Sequence, residues 1–328
     1  MSNGTISNSD VDDNEYYHVQ KNGGAVYMED GVFKMTGGTI KNCRAKTGGA
    51  VYIKKSANAL QDPIFQMSGG EIKDCMSETN GGAVYLEVGE VELSGNATIK
   101  GNLAQKGNGG AVYITAGNFF MGDGKPIVVY NSALGENDET IGNGGGIYVT
   151  SQDKTVNVDV LSGTIEHNTS DGNGGGLCVD MPSTGVDANI KIGESGSTSL
   201  VNPDIQRNSS VMYGGGLYAK GKNAKITING GVIMNNLVSN YVPNENVYND
   251  MGTVILNGGD VTHVVITFDA NAPDDDTALL DGGKTAIQKI VKSTNSFLVQ
   301  PTSIGRNFYN FVGWNTRPDG HGVSYIIW

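Results

Sequence analysis

A seven-residue phrase recurs down this chain, and any fold must accommodate it. It reads Asn22-Gly-Gly-Ala-Val-Tyr-Met28, then Thr47-Gly-Gly-Ala-Val-Tyr-Ile53, Asn80-Gly-Gly-Ala-Val-Tyr-Leu86 and Asn108-Gly-Gly-Ala-Val-Tyr-Ile114. It drifts to Asn143-Gly-Gly-Gly-Ile-Tyr-Val149, Asn173-Gly-Gly-Gly-Leu-Cys-Val179 and Tyr213-Gly-Gly-Gly-Leu-Tyr-Ala219, with a worn copy at Asn244-Glu-Asn-Val-Tyr248. The full copies start 25 to 40 residues apart, the signature of a stacked-repeat architecture.

Each copy has a second half. Met35-Thr-Gly-Gly-Thr-Ile-Lys-Asn42 is answered by Met67-Ser-Gly-Gly-Glu-Ile-Lys-Asp74, by Leu93 to Asn102, by Leu161 to Asn168 and by Ile228 to Asn236. These are short runs of alternating apolar and polar residues broken by Gly and Asn, with hardly any 3.6-residue periodicity. Short strands with no helices to cover a sheet predict an all-β solenoid of parallel strands. Crossovers between parallel strands are right-handed, so the expected fold is a right-handed parallel β-helix of about eight rungs. A supply of 38% hydrophobic residues suits a core one rung wide.

Strand alternation assigns the faces. Val26 and Met28, Val51 and Ile53, and Val84 and Leu86 are expected to point inward. Tyr27, Tyr52, Tyr85, Tyr113, Tyr148 and Tyr218, with Tyr248, are then expected to form an exposed column at about 4.8 Å per rung, interrupted by Cys178. A column of Ala25, Ala50, Ala83, Ala111, Gly146, Gly176 and Gly216 is expected beside it, leaving one face of the rings open. Such a strip stabilises neighbouring rungs by stacking, and it also offers a binding track for sugar rings. A second column, Asn8, Asn42, Asp74, Asn102, Asn131, Asn168, Asn208 and Asn236, reads as a structural ladder at a corner of the coil. Asn tolerates the left-handed backbone that a corner needs, and its amide bonds the Asn above and below.

The formal net charge of −12 argues against nucleic acid as a partner. No apolar run approaches the roughly 20 residues that span a membrane. Cys43 and Cys75 follow the corner residues of consecutive rungs, and parallel in-register Cβ vectors suit free thiols better than a disulfide. No Cys/His spacing resembles a metal site, and no cofactor is expected. Met1 to Asn8 matches the second half of a repeat, so the chain is expected to open within a rung, as a fragment of a longer product.

The phrase stops before residue 262, which divides the chain into an expected β-helix at 1–261 and a module at 262–328. The module carries Thr267-Phe-Asp-Ala-Asn271, an intervening Pro301, Gly305 and Arg306 segment, and Phe311-Val-Gly-Trp-Asn-Thr-Arg-Pro-Asp-Gly-His-Gly-Val-Ser-Tyr325. In these it resembles the Listeria–Bacteroides repeat, also found as the B repeat of internalin-type proteins. It departs from that pattern at Ala272-Pro273, where the family has a Gly pair. The resemblance implies a small β-grasp-like domain in a secreted or wall-attached bacterial protein, without catalysis. The rung phrases are similar to those of adhesin-like β-helix surface proteins, including the polymorphic outer-membrane proteins.

β-Helices also act on acidic polysaccharides, and such chemistry needs carboxylates brought together on adjacent rungs. The pectin-hydrolase motifs Asn-Thr-Asp and Arg-Ile-Lys do not occur, and Gly320-His321-Gly322 falls in the C-terminal module. The pairs Asp12-Asp13 and Asp274-Asp275-Asp276 fall in loops. Asp159, Asp171, Asp180, Asp187 and Arg207 are scattered candidates for a lyase centre, and the long inserts at 55–64, 115–126, 132–142, 150–158 and 181–204 are candidates to build a cleft. Ice binding is disfavoured, because the outward pairs Thr39/Lys41, Glu71/Lys73, Thr98/Lys100 and Thr164/Glu166 carry charge. The expectation is a non-catalytic, extracellular, monomeric adhesin-like scaffold for a glycan or a host or cell-surface protein. A polysaccharide lyase or glycoside hydrolase is the alternative.

Overall fold

The computed structural model describes residues 1–9, 22–136, 141–182, 185–194, 202–239 and 246–261. Beyond these it describes the backbone of Val264–Asp269, Leu279–Leu280, Thr285–Ile290, Ile304–Gly305, Gly313–Asn315 and Ser324–Ile326. Within the described residues the chain is all-β, and up to Val261 its strands stack in parallel as β-helix-like rungs. One rung runs through Val84–Leu86, Glu90–Gly95, Thr98–Lys100 and Leu103–Ala104. Each of these strands pairs with its counterparts one rung away. The result is a 15-stranded sheet, a 7-stranded sheet and a 10-stranded sheet whose neighbours are consecutive rungs.

Register follows the repeat. Tyr27 pairs with Tyr52, Tyr52 with Tyr85, Tyr85 with Tyr113 and Tyr113 with Tyr148, and the column continues through Cys178 to Tyr218 and Tyr248. A slip of one residue would turn the apolar set outward, so burial pins this register. The inward positions behave as expected: Val51, Ile53, Val84, Leu86, Val112 and Ile114 are fully buried, each worth about 1.5–3 kcal/mol.

The invariant Gly pair has two separate causes, visible at Gly48 and Gly49. Gly48 has φ of +60°, and a Cβ there would meet the Val51 carbonyl oxygen at 2.3 Å. Gly49 packs against the next rung, where a Cβ would lie 2.2 Å from the Gly82 carbonyl oxygen. The first glycine makes the turn and the second lets rungs approach.

Three of the expected inserts are rung elements. Residues 115–126 contain the strand Gly117–Gly124, 150–158 run into Val156–Val160, and 181–204 contain Ala188–Ile192. Each buries alternate apolar residues (Phe119 and Met121, Val158 and Val160, Ile190 and Ile192) without the Gly-Gly signal that marks the phrase.

At the far end, Val264–Asp269 pairs in parallel with Val247–Asp250, matching Tyr248 with Val265, and then pairs antiparallel with Thr285–Ile290. The tyrosine-bearing sheet thus runs across residue 262 before its strand direction reverses. Gly313–Asn315 and Ser324–Ile326, within the closing motif of the C-terminal segment, form an antiparallel pair. The Asp12-Asp13, Asp274–Asp276 and Gly320-His321-Gly322 runs lie outside the described residues.

Candidate functional site

Three columns run along the stack, and the structure sorts them differently from the sequence. The tyrosines do face away from the core, but they do not form an open strip. Successive rings from Tyr27 to Tyr148 lie 4.9–5.4 Å apart and within 19° of parallel. Each ring covers its neighbour's face, so Tyr27 at the end of the stack is 48% exposed while Tyr52 and Tyr148 keep only 6% and 7%. Tyr85 and Tyr113 are half-buried. Tyr148, Cys178, Tyr218 and Tyr248 form a second apolar cluster of their own.

Three of the hydroxyls are also committed. Tyr27 donates to Glu29 at 2.9 Å, Tyr52 to Glu87, and Tyr218 to Asp250 at 3.1 Å. Burial pushes the Tyr148 and Tyr218 phenols well above their ordinary value. The expectation of an exposed column is therefore corrected: in-register stacking buries Tyr52, Tyr148, Tyr218 and Tyr248, leaves Tyr85 and Tyr113 half-buried, and exposes only Tyr27 at the end.

The small column is corrected too. Ala50, Ala83 and Ala111 are fully buried and belong to the core. They precede the strand proper, at the bend, so strict alternation does not apply to them. Their drift to Gly in later rungs has a local cause. A Cβ at Gly216 would lie 2.7 Å from Nδ2 of Asn236, which occupies the corner of the same core.

The Asn column divides into two. Asn102, Asn131, Asn168, Asn208 and Asn236 are buried and hydrogen-bonded in series. The main-chain N–H and the side-chain Nδ2 of Asn131 both donate to Oδ1 of Asn168 at 3.0 Å, and Nδ2 of Asn168 donates to the Val128 carbonyl at 3.0 Å. The series reaches Asn246, which accepts from Asn236.

Asn42 and Asp74 do not belong to it. The Cys75 main-chain N–H donates to Asn102 Oδ1, and strand register aligns Cys43 with Cys75. The buried ladder is thus Cys43, Cys75, Asn102, Asn131 and onward. Asn42 and Asp74 belong to the residue before it, which takes left-handed φ in every rung: Asn8, Asn42, Asp74, Gly101, Tyr130, His167, Arg207 and Asn235. Neighbouring Asn residues, such as Asn235-Asn236, blur the two columns in the sequence.

All three cysteines are buried free thiols. The neighbouring Cys75 thiol lowers Cys43 to about 7 and is itself raised, while burial pushes Cys178 up.

The left-handed corner carries what sequence reasoning missed. Tyr130 is 53% exposed and stacks on His167 at 4.9 Å, and Lys100 Nζ lies 6.0 Å from the Tyr130 ring centre. Arg207 reaches Glu166 at 3.6 Å. Beside Gly101 lies an open groove of about 360 Å³ lined by Asn42, Arg44, Asp74, Met76 and Leu103, with Cys75 at its base. The available signal was a break in type: aromatic, imidazole and guanidinium side chains at positions that favour Asn or Gly.

The scattered carboxylates are not brought together. Asp180 pairs with Lys220 at 3.5 Å, Asp187 pairs with Lys225 at 2.5 Å, and Asp171 accepts from the Gly135 N–H at 3.2 Å. Asp159 is in register with Lys191 on the 15-stranded sheet. Among the described residues no group of three or more His, Cys, Asp or Glu is placed to hold a metal ion, and no helix is long and apolar enough to cross a membrane. Compared with known proteins, the chain matches no family model, no curated protein and no solved structure.

Proposed function

We propose that this chain is a non-catalytic, extracellular scaffold of the adhesin type. In this reading a right-handed β-helical rod of about eight rungs presents a repeated surface to a glycan or a cell-surface protein. It acts as a monomer, and residues 262–328 form a β-grasp-like module of the Listeria–Bacteroides kind.

One observation carries the reading. The polar groups inside the rod are used for cohesion along its axis, while its corner presents one residue per rung at a fixed spacing, with a side chain on every rung but that of Gly101. The Asn ladder bonds rung to rung, and Asp180 and Asp187 are held in cross-rung ion pairs. Such a rod suits multivalent contact, in which many weak contacts along a polymer sum to useful avidity. The bacterial-surface setting rests on the resemblance of the C-terminal sequence.

The test is retention of the purified chain on immobilised polysaccharides and on bacterial and host cell surfaces, with assay of the eluate for new reducing or unsaturated ends. Retention without turnover is expected. Retention on none of these supports, or steady chain cleavage, refutes the proposal.

A further inference from the structure

We propose that the left-handed corner is the ligand-binding edge of the rod, and that its ligand is a linear anionic polysaccharide. This deepens the scaffold reading and rests on it. Three independent observations converge on the same edge.

The first is conformational. The corner residue of every rung has φ between +52° and +66°. Asn, Asp and Gly visit this region readily, and the first four rungs use only those types: Asn8, Asn42, Asp74 and Gly101. His is also tolerated there, whereas Tyr and Arg pay roughly 1–2 kcal/mol for it. Tyr130, His167 and Arg207 nevertheless occupy it on three successive rungs, at φ of 56°, 52° and 56°. Neither the ladder nor the core uses these side chains. Strain carried by Tyr130 and Arg207, both exposed, points to contact with something outside the fold.

The second is charge. Lys41, Lys73 and Lys100 are directly in register on adjacent strands, on a chain of net charge −12. Like charges placed opposite one another across a sheet destabilise it. Lys73 is paired with Glu71 at 2.5 Å, but among the described residues Lys41 and Lys100 have no carboxylate within ion-pairing distance. A line of cations kept at a cost in stability fits an anion that follows the same line.

The third is shape. Gly101 has no side chain to fill its place between Asp74 and Tyr130, and the groove of about 360 Å³ opens there. Its lining combines the apolar Met76 and Leu103 with the Arg44 guanidinium, the Asn42 amide and the Asp74 carboxylate. The Tyr130–His167 stack continues the same edge on the following rungs, with Lys100 beside the ring. Apolar lining residues, aromatic platform and cations at a repeat of about 4.8 Å match a chain of flat rings carrying one acid group each. A neutral glycan uses only the stacking surface. A single-stranded nucleic acid also presents flat rings and acid groups, and preference for it is one of the outcomes of the test.

The experiment measures retention on polygalacturonate, heparin, neutral dextran and a single-stranded nucleic acid, at low and raised sodium chloride. The variants are Tyr130→Asn with His167→Asn, and Lys41→Gln with Lys100→Gln. Asn is at ease at left-handed φ, so the first pair preserves the fold, which a thermal melt checks. Wild type is expected to bind one or both acidic polysaccharides, and the two together tell carboxylate from sulfate recognition. Added salt should release it, and each double variant should lose about tenfold in affinity. If wild type binds glycans and both variants bind them equally well, the corner is not the site, although the scaffold reading survives. Preference for dextran or for the nucleic acid overturns the assigned ligand class. If wild type binds none of the polysaccharides, the site falls together with the glycan-binding role itself.

Discussion

The tyrosine column and the left-handed corner are built by the same rule, one residue per rung in register, and they end in opposite states. In the column, eight positions from Tyr27 to Tyr248 are filled by seven tyrosines and Cys178, and the rings cover one another until little accessible surface remains. At the corner the residue type changes from rung to rung, the backbone is held where Tyr130 and Arg207 are unfavourable, and Tyr130 stays half exposed. Uniformity marks the column whose contacts are with itself. Variation at a conformational cost marks the column whose contacts lie elsewhere. Repetition alone does not tell a ligand track from a structural ladder; exposure and strain do.

The sharpest way to break this contrast is to cut one aromatic residue from each column. Tyr148→Ser removes a buried ring between Tyr113 and Cys178 and should destabilise by about 4 kcal/mol. Tyr130→Asn exchanges an exposed ring for a residue that prefers left-handed φ, so stability should hold or rise by about 1 kcal/mol. Urea unfolding of the two variants settles the matter, and equal losses would dissolve the distinction.

The Asn columns allow the same comparison at a smaller scale. Asn168→Ala leaves the Asn131 main-chain N–H buried without its partner and removes the Nδ2 bonds to the Val128 carbonyl and to Asn208 Oδ1, at a cost of about 3 kcal/mol. Asn157→Ala removes an amide that donates to Asn118 Oδ1 at 3.1 Å in an exposed column, and its effect should stay within about 0.5 kcal/mol. A denaturation midpoint that moves equally in both would show that burial is not what gives the ladder its value.

Alkaline pH tests the stacked column as a whole. The phenols of Tyr52, Tyr113, Tyr148 and Tyr218 are raised above the ordinary tyrosine value, each chiefly by burial. A raised pKa means that the folded state holds its proton where the unfolded chain, titrating near pH ~10, has lost it. The contribution is therefore complete below that pH and is lost as pH rises, by up to about 1.4 kcal/mol per pH unit for each buried phenol. Thermal melts should fall steeply above pH ~10, with phenolate absorbance appearing at the unfolding transition. Phenolate signal from a folded column, equivalent to all its tyrosines, would show that the rings are open to solvent.

Much of the fold was legible in the sequence because the repeat records backbone geometry directly. The Gly pair, the inward Val and the residue two positions later each have a single cause, so the phrase predicts its own register. The Ala column was misread because alternation was extended one residue beyond the strand, into the bend where both Ala50 and Val51 face inward. The tyrosines were assigned to the correct side but to the wrong environment. Strand alternation tells which way a side chain points, not whether identical neighbours will cover it. The corner escaped notice because its signal is a departure, visible only once the φ angles separate Tyr130 and His167 from the ladder Asn that follows each of them.

The last contrast lies within the buried ladder itself, where two rungs carry Cys in place of Asn. From Asn102 onward each member accepts from the preceding rung and donates to the next, so Oδ1 of Asn102 is already oriented toward the Cys75 main-chain N–H at 3.0 Å. The Cys75 thiol instead donates to the Lys73 carbonyl at 3.2 Å, a weak bond that does nothing for the neighbouring rung. Cys75→Asn should extend the ladder, with its Nδ2 donating to Asn102 Oδ1 and its own Oδ1 facing the Cys43 N–H. Two amide hydrogen bonds replacing one thiol bond are worth about 1 kcal/mol net, reduced by any mismatch of volume in a fully buried site. The melting temperature should rise by a few degrees and the thiol count should fall from three to two. The variant also removes the neighbour that lowers Cys43, so the labelling of Cys43 by a thiol reagent at neutral pH should slow. A lower melting temperature would mean that the corner at Cys75 is shaped for sulfur, and that the ladder ends at Asn102 by design rather than by drift of the repeat.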